Sequence, residues 1–537
     1  MTDATYLIWQ RWRSGSSSML PSVARILTHM PANSDNHVSE AGLTHRTRKG
    51  FLWAFTGTGL QNVIQMVVLV VLARFVGAEE FGLINLALVI VSFSTLFASI
   101  GVGPAIIQRK EIHTVDLQVS FFISSMLGIV VAAALWLSSD LLADFFKMPQ
   151  LAAVLGILAL VFPLNGVAIV SEALLQRELK FRQLSLSQIV SYTAGYGIVG
   201  ITLGVYGYGI WALLTAHLVQ TAIRFTMLIA TQPPRFLREK ASGHVQAAKS
   251  LLRFGGGATI DSLSNYLAVQ SDNLIIGRGL GAAALGMYGR AYQLAVLPAT
   301  LLGQVLDKVL FSSMSKLQDD LQQLKASYIR SISYTSLLVA PISVICYLLA
   351  SEIVAVVLGS GWTEVVFPFQ ILCMGMLFRT TYKISNSLVL ARGYVYKRAS
   401  RQVLYVLFVI AGAVIGMHWG LPGAAFGVLI AISLHYFNML YLCKSILSCT
   451  WRELGNAHLP ALLGSVWMLI GLYAMTEAIR PLGWISFVNL VVFGMFAIVW
   501  FAMVVLLFPS VMVHMSRTAL RGKMQQVLGK VRRRRQA

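Results

Sequence analysis

Some fourteen apolar blocks follow one another along this chain, and its Lys and Arg residues collect in every second gap between them. A hydrocarbon core about 30 Å thick takes roughly 20 residues of helix at about 1.5 Å per residue. The blocks fall near 51–74, 83–106, 117–138, 151–173, 184–205 and 208–230. After a polar stretch they resume near 255–277, 285–308, 332–358, 366–390, 401–419 and 424–445, with two more at 459–477 and 484–508. Segments of this length satisfy their backbone groups in a bilayer as helices, not as barrel strands. The expected fold is an all-α polytopic membrane protein of about 14 transmembrane helices. With 57% hydrophobic and 12% charged residues among 537, too little polar side chain remains to clothe a soluble domain.

Of the 42 Lys and Arg residues, with those toward block ends counted in the adjoining gap, thirty-four lie in the even-numbered gaps and the two tails, five on the other side, and three (Arg224, Arg379 and Lys383) inside blocks. Cationic loops resist translocation, so the rich side is expected to be cytoplasmic, with both termini. The net charge of +21 then reflects a basic inner face against anionic membrane lipids and calls for no nucleic acid. The run Arg532, Arg533, Arg534 and Arg535 fits headgroups in the same way. Residues 1–50 lack a signal-peptide core and read as a disordered cytoplasmic extension, with a short interfacial helix at 6–12. Initiation at Met19 or Met30 is an equal alternative. The remaining boundaries are 51–230 for a first lobe, 231–254 for a cytoplasmic linker, 255–445 for a second lobe, 459–508 for two extra helices and 509–537 for a basic tail.

Compared with itself, the chain repeats. At an offset of 204, Arg74 aligns with Arg278, Ala78 with Ala282, Gly82 with Gly286 and Ala87 with Ala291. The offset then drifts to about 215, where Arg177 meets Arg392, and to 216, where Gly204 and Gly207 meet Gly420 and Gly423. Equivalent points are six crossings apart, so the halves are expected as parallel repeats about an axis along the membrane normal, enclosing a cavity between them.

An ionisable residue near the bilayer centre costs about 2.5–3.5 kcal/mol on insertion scales, and usually faces a cavity or a partner. Asp261, Asn265 and Asp272 share one helix face at about 100° per residue. Gln61 and Gln65 lie on the matching helix of the first half. Arg379 and Lys383 share a face four residues apart, Arg224 lies in the sixth block, and Arg74, Arg278 and Arg290 gather at the outer ends of three blocks. Cations outnumber acids, which suits a phosphate or pyrophosphate gripped by two-pronged arginines. Other readings stay open: Arg74, Arg278, Arg290 and Arg224 snorkel to headgroups, or Asp272 pairs with Arg278 or Arg290. Asp261 and Asp272 are candidates for coupling to a proton, a sodium ion or the membrane potential. Pro163, Pro298, Pro341 and Pro368 mark candidate kinks. Cys346, Cys373, Cys443 and Cys449 have no metal-like spacing. The chain shows no phosphate-binding glycine loop and no nucleophile triad, so neither a cofactor, a metal nor catalytic residues are expected.

The stretch Ser271-Asp272-Asn273-Leu274-Ile275-Ile276-Gly277-Arg278-Gly279-Leu280-Gly281, with Leu285-Gly286-Met287-Tyr288 and Ala291-Tyr292, resembles the polysaccharide-transport (Wzx-type) branch of the multidrug/oligosaccharidyl-lipid/polysaccharide flippase superfamily. Leu175-Gln176-Arg177-Glu178-Leu179-Lys180-Phe181-Arg182, Gly207-Tyr208-Gly209-Ile210-Trp211-Ala212-Leu213 and Leu310-Phe311-Ser312-Ser313-Met314-Ser315-Lys316-Leu317-Gln318 add to it. The resemblance implies two six-helix lobes plus two C-terminal helices, alternating access, and a bacterial inner-membrane flippase for polyprenyl-pyrophosphate-linked oligosaccharide. Implied partners are a polysaccharide polymerase and glycosyltransferases. The alternatives are an ion-coupled exporter of organic cations, which wants an acidic lumen, and a glycan polymerase or ligase, which wants large outer loops.

Overall fold

The structure is a computed structural model that describes residues 40–99, 101–109, 111–238, 243–318, 320–479 and 486–507. The proposed helix at 6–12, the arginine run at 532–535 and the side chain of Asp261 lie outside the described residues. In chain order the α-helices are α1 (Glu40–Leu72), α2 (Ala78–Ser99), α3 (Val102–Gln108), α4 (Thr114–Leu137), α5 (Ser139–Phe146), α6 (Gln150–Leu158), α7 (Val161–Arg177), α8 (Phe181–Tyr192), α9 (Ile201–Val205) and α10 (Ile210–Thr231). They continue as α11 (His244–Lys316), α12 (Leu321–Leu348), α13 (Ala350–Val357), α14 (Val366–Met374), α15 (Met376–Ala391), α16 (Val395–Gly416), α17 (Gly420–Leu447), α18 (Trp451–Ile479) and α19 (Ser486–Leu507). A π-helix (Thr193–Gly200) joins α8 to α9. Among the described residues, eight helices are long and apolar enough to cross a membrane, and a ninth crossing arises if the bent pair Ser360–Met374 and Met376–Ala391 is one span.

The breaks have local causes. Within α11 the backbone leaves helical geometry at Gly281, with φ 87° and ψ −179°. That conformation is open only to glycine at little cost, and it turns 73 residues into two arms. The first helix starts at Glu40, eleven residues before the apolar block that announced it. Pro163 and Pro368 fall third in α7 and α14, in the first turn where a missing N–H leaves no intrahelical bond unmade. Pro298 and Pro341 sit inside α11 and α12. Asp320 caps α12 by accepting from the backbone N–H groups of Gln322 and Gln323 at 3.1 and 3.0 Å.

Small residues set the closest helix contacts, as they do where lipid removes the hydrophobic drive between helices. Ser124 of α4 donates to the Gly166 carbonyl of α7 at 2.7 Å, and a Cβ on Gly128 would lie 2.7 Å from the Phe162 carbonyl. Gly412 and Gly416 of α16 meet Gly427 and Gly423 of α17 backbone to backbone. Large apolar side chains such as Phe122, Met126, Trp136, Ile198, Phe426 and Ile498 stay exposed, a pattern that belongs against hydrocarbon. One core cluster draws on both halves, from Leu86, Leu151 and Phe162 to Leu285, Tyr288 and Phe369.

Residues that align in the repeat do equivalent work. Arg177 donates to the carbonyls of Ile106, at 2.9 Å, and Arg109, at the end of α3. Its counterpart Arg392 donates to the Gln318 carbonyl at the end of α11. Each closes a helix C-terminus with a cation, satisfying carbonyls that have no intrahelical donor.

Candidate functional site

The break at Gly281 folds the two arms of α11 back on each other, so that Tyr288 of the second arm donates to the Asp272 carboxylate of the first at 2.7 Å. Asp272 and Tyr288 are 2% and 0% exposed, so this carboxylate is sealed inside the protein. Its other oxygen accepts the Asn273 backbone N–H at 2.8 Å. The Asn273 side chain donates to Gln270 at 2.6 Å and accepts from Asn85 of α2 at 3.5 Å, tying the first half of the chain to the second. Asp272 therefore has partners, but they are a tyrosine and backbone; among the described residues it forms no ion pair with Arg278 or Arg290.

Beside this network, α15 begins at a 40° bend after α14 and presents Arg379 one turn in. Its guanidinium donates to the Tyr292 hydroxyl and lies 4.5 Å from the centre of the same ring. Among the described residues no carboxylate comes within 4.0 Å of it. A desolvated cation–π contact returns about 2 kcal/mol and a charge-assisted hydrogen bond about 1.5–3, which together offset the insertion cost of about 2.5–3.5. Tyr292 thus supports Arg379 without a direct ion pair, and the buried Asp272 carboxylate acts on it through space. Lys383, one turn further along α15, is half-buried.

Arg290, on the same arm as Tyr292, stacks over Phe81 of α2 at 4.4 Å and donates to Gln293. Its buried Nε meets no acceptor among the described residues. The other cations stand elsewhere. Arg224 of α10 is ion-paired with Glu172 of α7 at 2.7 Å, a compensation that the sequence reading lacked. Arg74 is exposed and donates to the Val356 carbonyl at 3.3 Å, while Arg278 lies 5.3 Å from the Phe145 ring. Gln61 and Gln65 on α1 are half-buried and Asn265 is exposed. Asn265 and Asp272 share a helix face, but only the Asp272 end is covered by α2 and the second arm.

The structure thus brings Asp272 and Arg379 together, leaves Arg290 on another side of its helix against Phe81, and adds Asn85, Gln270, Asn273, Tyr288 and Tyr292, which sequence reasoning did not name as site residues. Two of them had a signal, since Tyr288 and Tyr292 stand four apart and flank Arg290. Chemically the group offers fixed cations and hydrogen-bond donors, suited to holding an anion. Among the described residues, no set of three or more His, Cys, Asp or Glu converges on a metal position.

Residues 71–367 match the family model described as polysaccharide biosynthesis protein. The chain is 29% identical over 416 residues to the lipopolysaccharide biosynthesis protein WzxC of Escherichia coli (strain K12), covering 76% of this chain and 84% of that one. It is 28% identical over 303 residues to the succinoglycan biosynthesis transport protein ExoT of Rhizobium meliloti (strain 1021), covering 56% and 60%. Its fold is similar to that of the lipid II flippase MurJ in an inward closed conformation, with a TM-score of 0.71, 14% identity and coverage of 86% of this chain and 100% of that one. An inward-facing multidrug resistance transporter of the MATE family aligns with a TM-score of 0.58 at 16% identity, covering 73% and 96%.

Proposed function

Since the chain belongs to the polysaccharide biosynthesis protein family, we propose that it is a flippase, carrying polyprenyl-pyrophosphate-linked oligosaccharide across the bacterial inner membrane for exopolysaccharide, O-antigen or capsule assembly. The observation that carries this reading is Arg379: a half-buried guanidinium held by a tyrosine, with no carboxylate within 4.0 Å among the described residues, is poised for an anionic group. Arg290, with its orphan Nε, is the second cation, and Lys383 extends the patch along α15. The relatives named as polysaccharide transporters support the choice of cargo.

The finer architecture in this reading is fourteen crossings arranged as two parallel six-helix lobes plus two. Supporting it, the two arms of α11 are each long enough to cross, the 52-residue run Tyr396–Leu447 holds two crossings, and the shorter apolar helices Thr56–Leu72 and Ser486–Val499 add one each. Both termini face the cytoplasm, because the basic gaps do. Transport proceeds by alternating access, with Asp272 as the coupling carboxylate for a proton or sodium ion. Glycosyltransferases supply the cargo on the inner leaflet and a polymerase consumes it outside.

Deleting the gene in its native host is expected to remove the surface polysaccharide and to leave lipid-linked repeat units on the inner leaflet. Normal surface polysaccharide in the deletion strain would sink the proposal. Hypersensitivity of that strain to cationic drugs, with polysaccharide intact, would point instead to the organic-cation exporter of the same fold.

A further inference from the structure

The antiparallel pair α16 and α17 forms one long seam. Gly416 meets Gly423 and Gly412 meets Gly427 backbone to backbone, and in the same register Arg401 donates through Nε to the Asn438 carbonyl at 3.4 Å. Arg401 and Asn438 each stand fifteen residues from the Gly416–Gly423 pair, about 22 Å along a helix that rises about 1.5 Å per residue. The two ends differ in chemistry. At the glycine end a Cβ on any of the four would collide with the facing carbonyl, so no side chain fills the floor, and a groove of about 700 Å³ opens beside α14, walled by residues such as Phe367, Phe426 and Ile430. None of its lining residues is charged. Trp419 stands at the rim, 72% exposed, as aromatic rings do at a membrane surface. On the far wall α14 turns Ile371 to the groove and Leu372 to the space beside Arg379, so one helix separates the two. The other end is basic: Lys397, Arg398 and Arg401 fall within about one turn of α16, and none is ion-paired among the described residues. The Arg398 Nε and the Asn438 Nδ2 are buried and meet no acceptor among the described residues, so two donors there call for one. Between the ends Leu404 and Phe437 keep the face apolar and exposed.

We propose that this seam is a docking site for a polyprenyl phosphate or diphosphate, with the phosphate on Arg398, Arg401 and Asn438 at the cytoplasmic surface and the chain laid along the seam into the glycine groove. The assignment rests on the flippase reading and on the basic gaps facing the cytoplasm. Charge and length together select the occupant. Basic pockets between helices on the cytoplasmic side suit lipid phosphates, and a groove without charge suits only their chains. An ordinary phospholipid chain ends near the midplane, about 15 Å into a core of about 30 Å, and stops short of the outer glycine pair. A polyprenyl chain is long enough to lie against both ends at once. A second copy of the protein fits less well, because a symmetric contact uses the same patch twice and would set these cations against their own copies. Docked here, on the lipid-facing side of α14, the carrier waits one helix away from Arg379.

The test is photolabelling of the full chain in phosphatidylcholine vesicles with a polyprenyl monophosphate that carries a diazirine at the far end of its chain. Label is expected within residues 408–434, which hold the α16 and α17 walls of the groove. Arg398→Gln combined with Arg401→Gln should lower the yield by more than about tenfold. Ala411→Trp, which fills the groove from an exposed position, should lower it by a similar factor, whereas Ala133→Trp, exposed on α4, should leave it unchanged. If one seam variant does not fold, the other decides. Excess unlabelled polyprenyl phosphate should displace the probe, and farnesyl phosphate or phosphatidylglycerol should not. Displacement by phosphatidylglycerol as readily as by the polyprenyl lipid, label outside the groove, a yield indifferent to the seam variants, or cross-linked pairs of protein in place of labelled lipid would each overturn the proposal. Labelling needs no transport, so the two readings fail separately: a chain that labels at the seam yet moves no lipid-linked glycan sinks the flippase reading alone, and a transporting chain that never labels there sinks the seam alone.

Discussion

Arg224 in α10 and Arg379 in α15 are guanidinium groups on apolar helices of the two halves, and they meet opposite partners. Glu172 lies 2.7 Å from Arg224 and also accepts from Gln176 at 3.5 Å, so the first half cancels its cation locally. Arg379 meets the hydroxyl and face of Tyr292, which stabilise the positive charge without neutralising it. The same residue type is therefore ion-paired in one half and held by a tyrosine without a direct ion pair in the other. In the proposed mechanism only the second can attract a diphosphate, because a paired arginine would have to give up its carboxylate first.

The largest way to break this comparison is Arg379→Ala. It should reduce transport by more than about tenfold, since a charge-assisted contact to phosphate is worth about 1.5–3 kcal/mol, while the protein stays monodisperse. Arg379→Lys should fall between, keeping the charge and losing the planar fork. Next comes the pair in the first half. Arg224→Gln alone should impair expression or transport several-fold by stranding Glu172, and Arg224→Gln with Glu172→Gln should recover to within about twofold of wild type, a coupling read by a double-mutant cycle. If the double variant stays as poor as the single, Arg224 acts on cargo and the contrast between halves collapses. The smallest effect is expected from Tyr288→Phe. It removes one donor from a sealed carboxylate and should lower stability by about 1–3 kcal/mol in a thermal unfolding assay, with transport reduced in proportion to folded protein; an unchanged melting temperature would mean that Asp272 finds another donor.

Local regularities carried most of the fold into the sequence. Apolar length marked the helices, and the offset of 204 aligned Gly82 with Gly286 as equivalents without saying that they meet. The site was less legible, because its partners are far apart in the chain. Glu172 is 52 residues from Arg224 and Tyr292 is 87 from Arg379, separations that helical periodicity cannot bridge. Asn265 and Asp272 share a helix face, as periodicity indicates, but periodicity says nothing of how far a neighbour covers it. Coverage by α2 makes Asp272 buried and leaves Asn265 exposed. The contacts of Arg74 with the Val356 carbonyl and of Arg278 with the Phe145 ring join residues far apart in the chain and were not visible in charge alone.

The central claim is that a cation held without a direct ion pair in the second half draws an anionic, lipid-linked glycan through the protein. It is tested most directly by following a fluorescent polyprenyl-pyrophosphate oligosaccharide across vesicles that hold either the wild-type chain or Arg379→Ala. The account predicts rapid movement by the wild type, little by the variant, and no competition from organic cations. Equal rates for the two proteins, or no movement by a folded wild type, would contradict it.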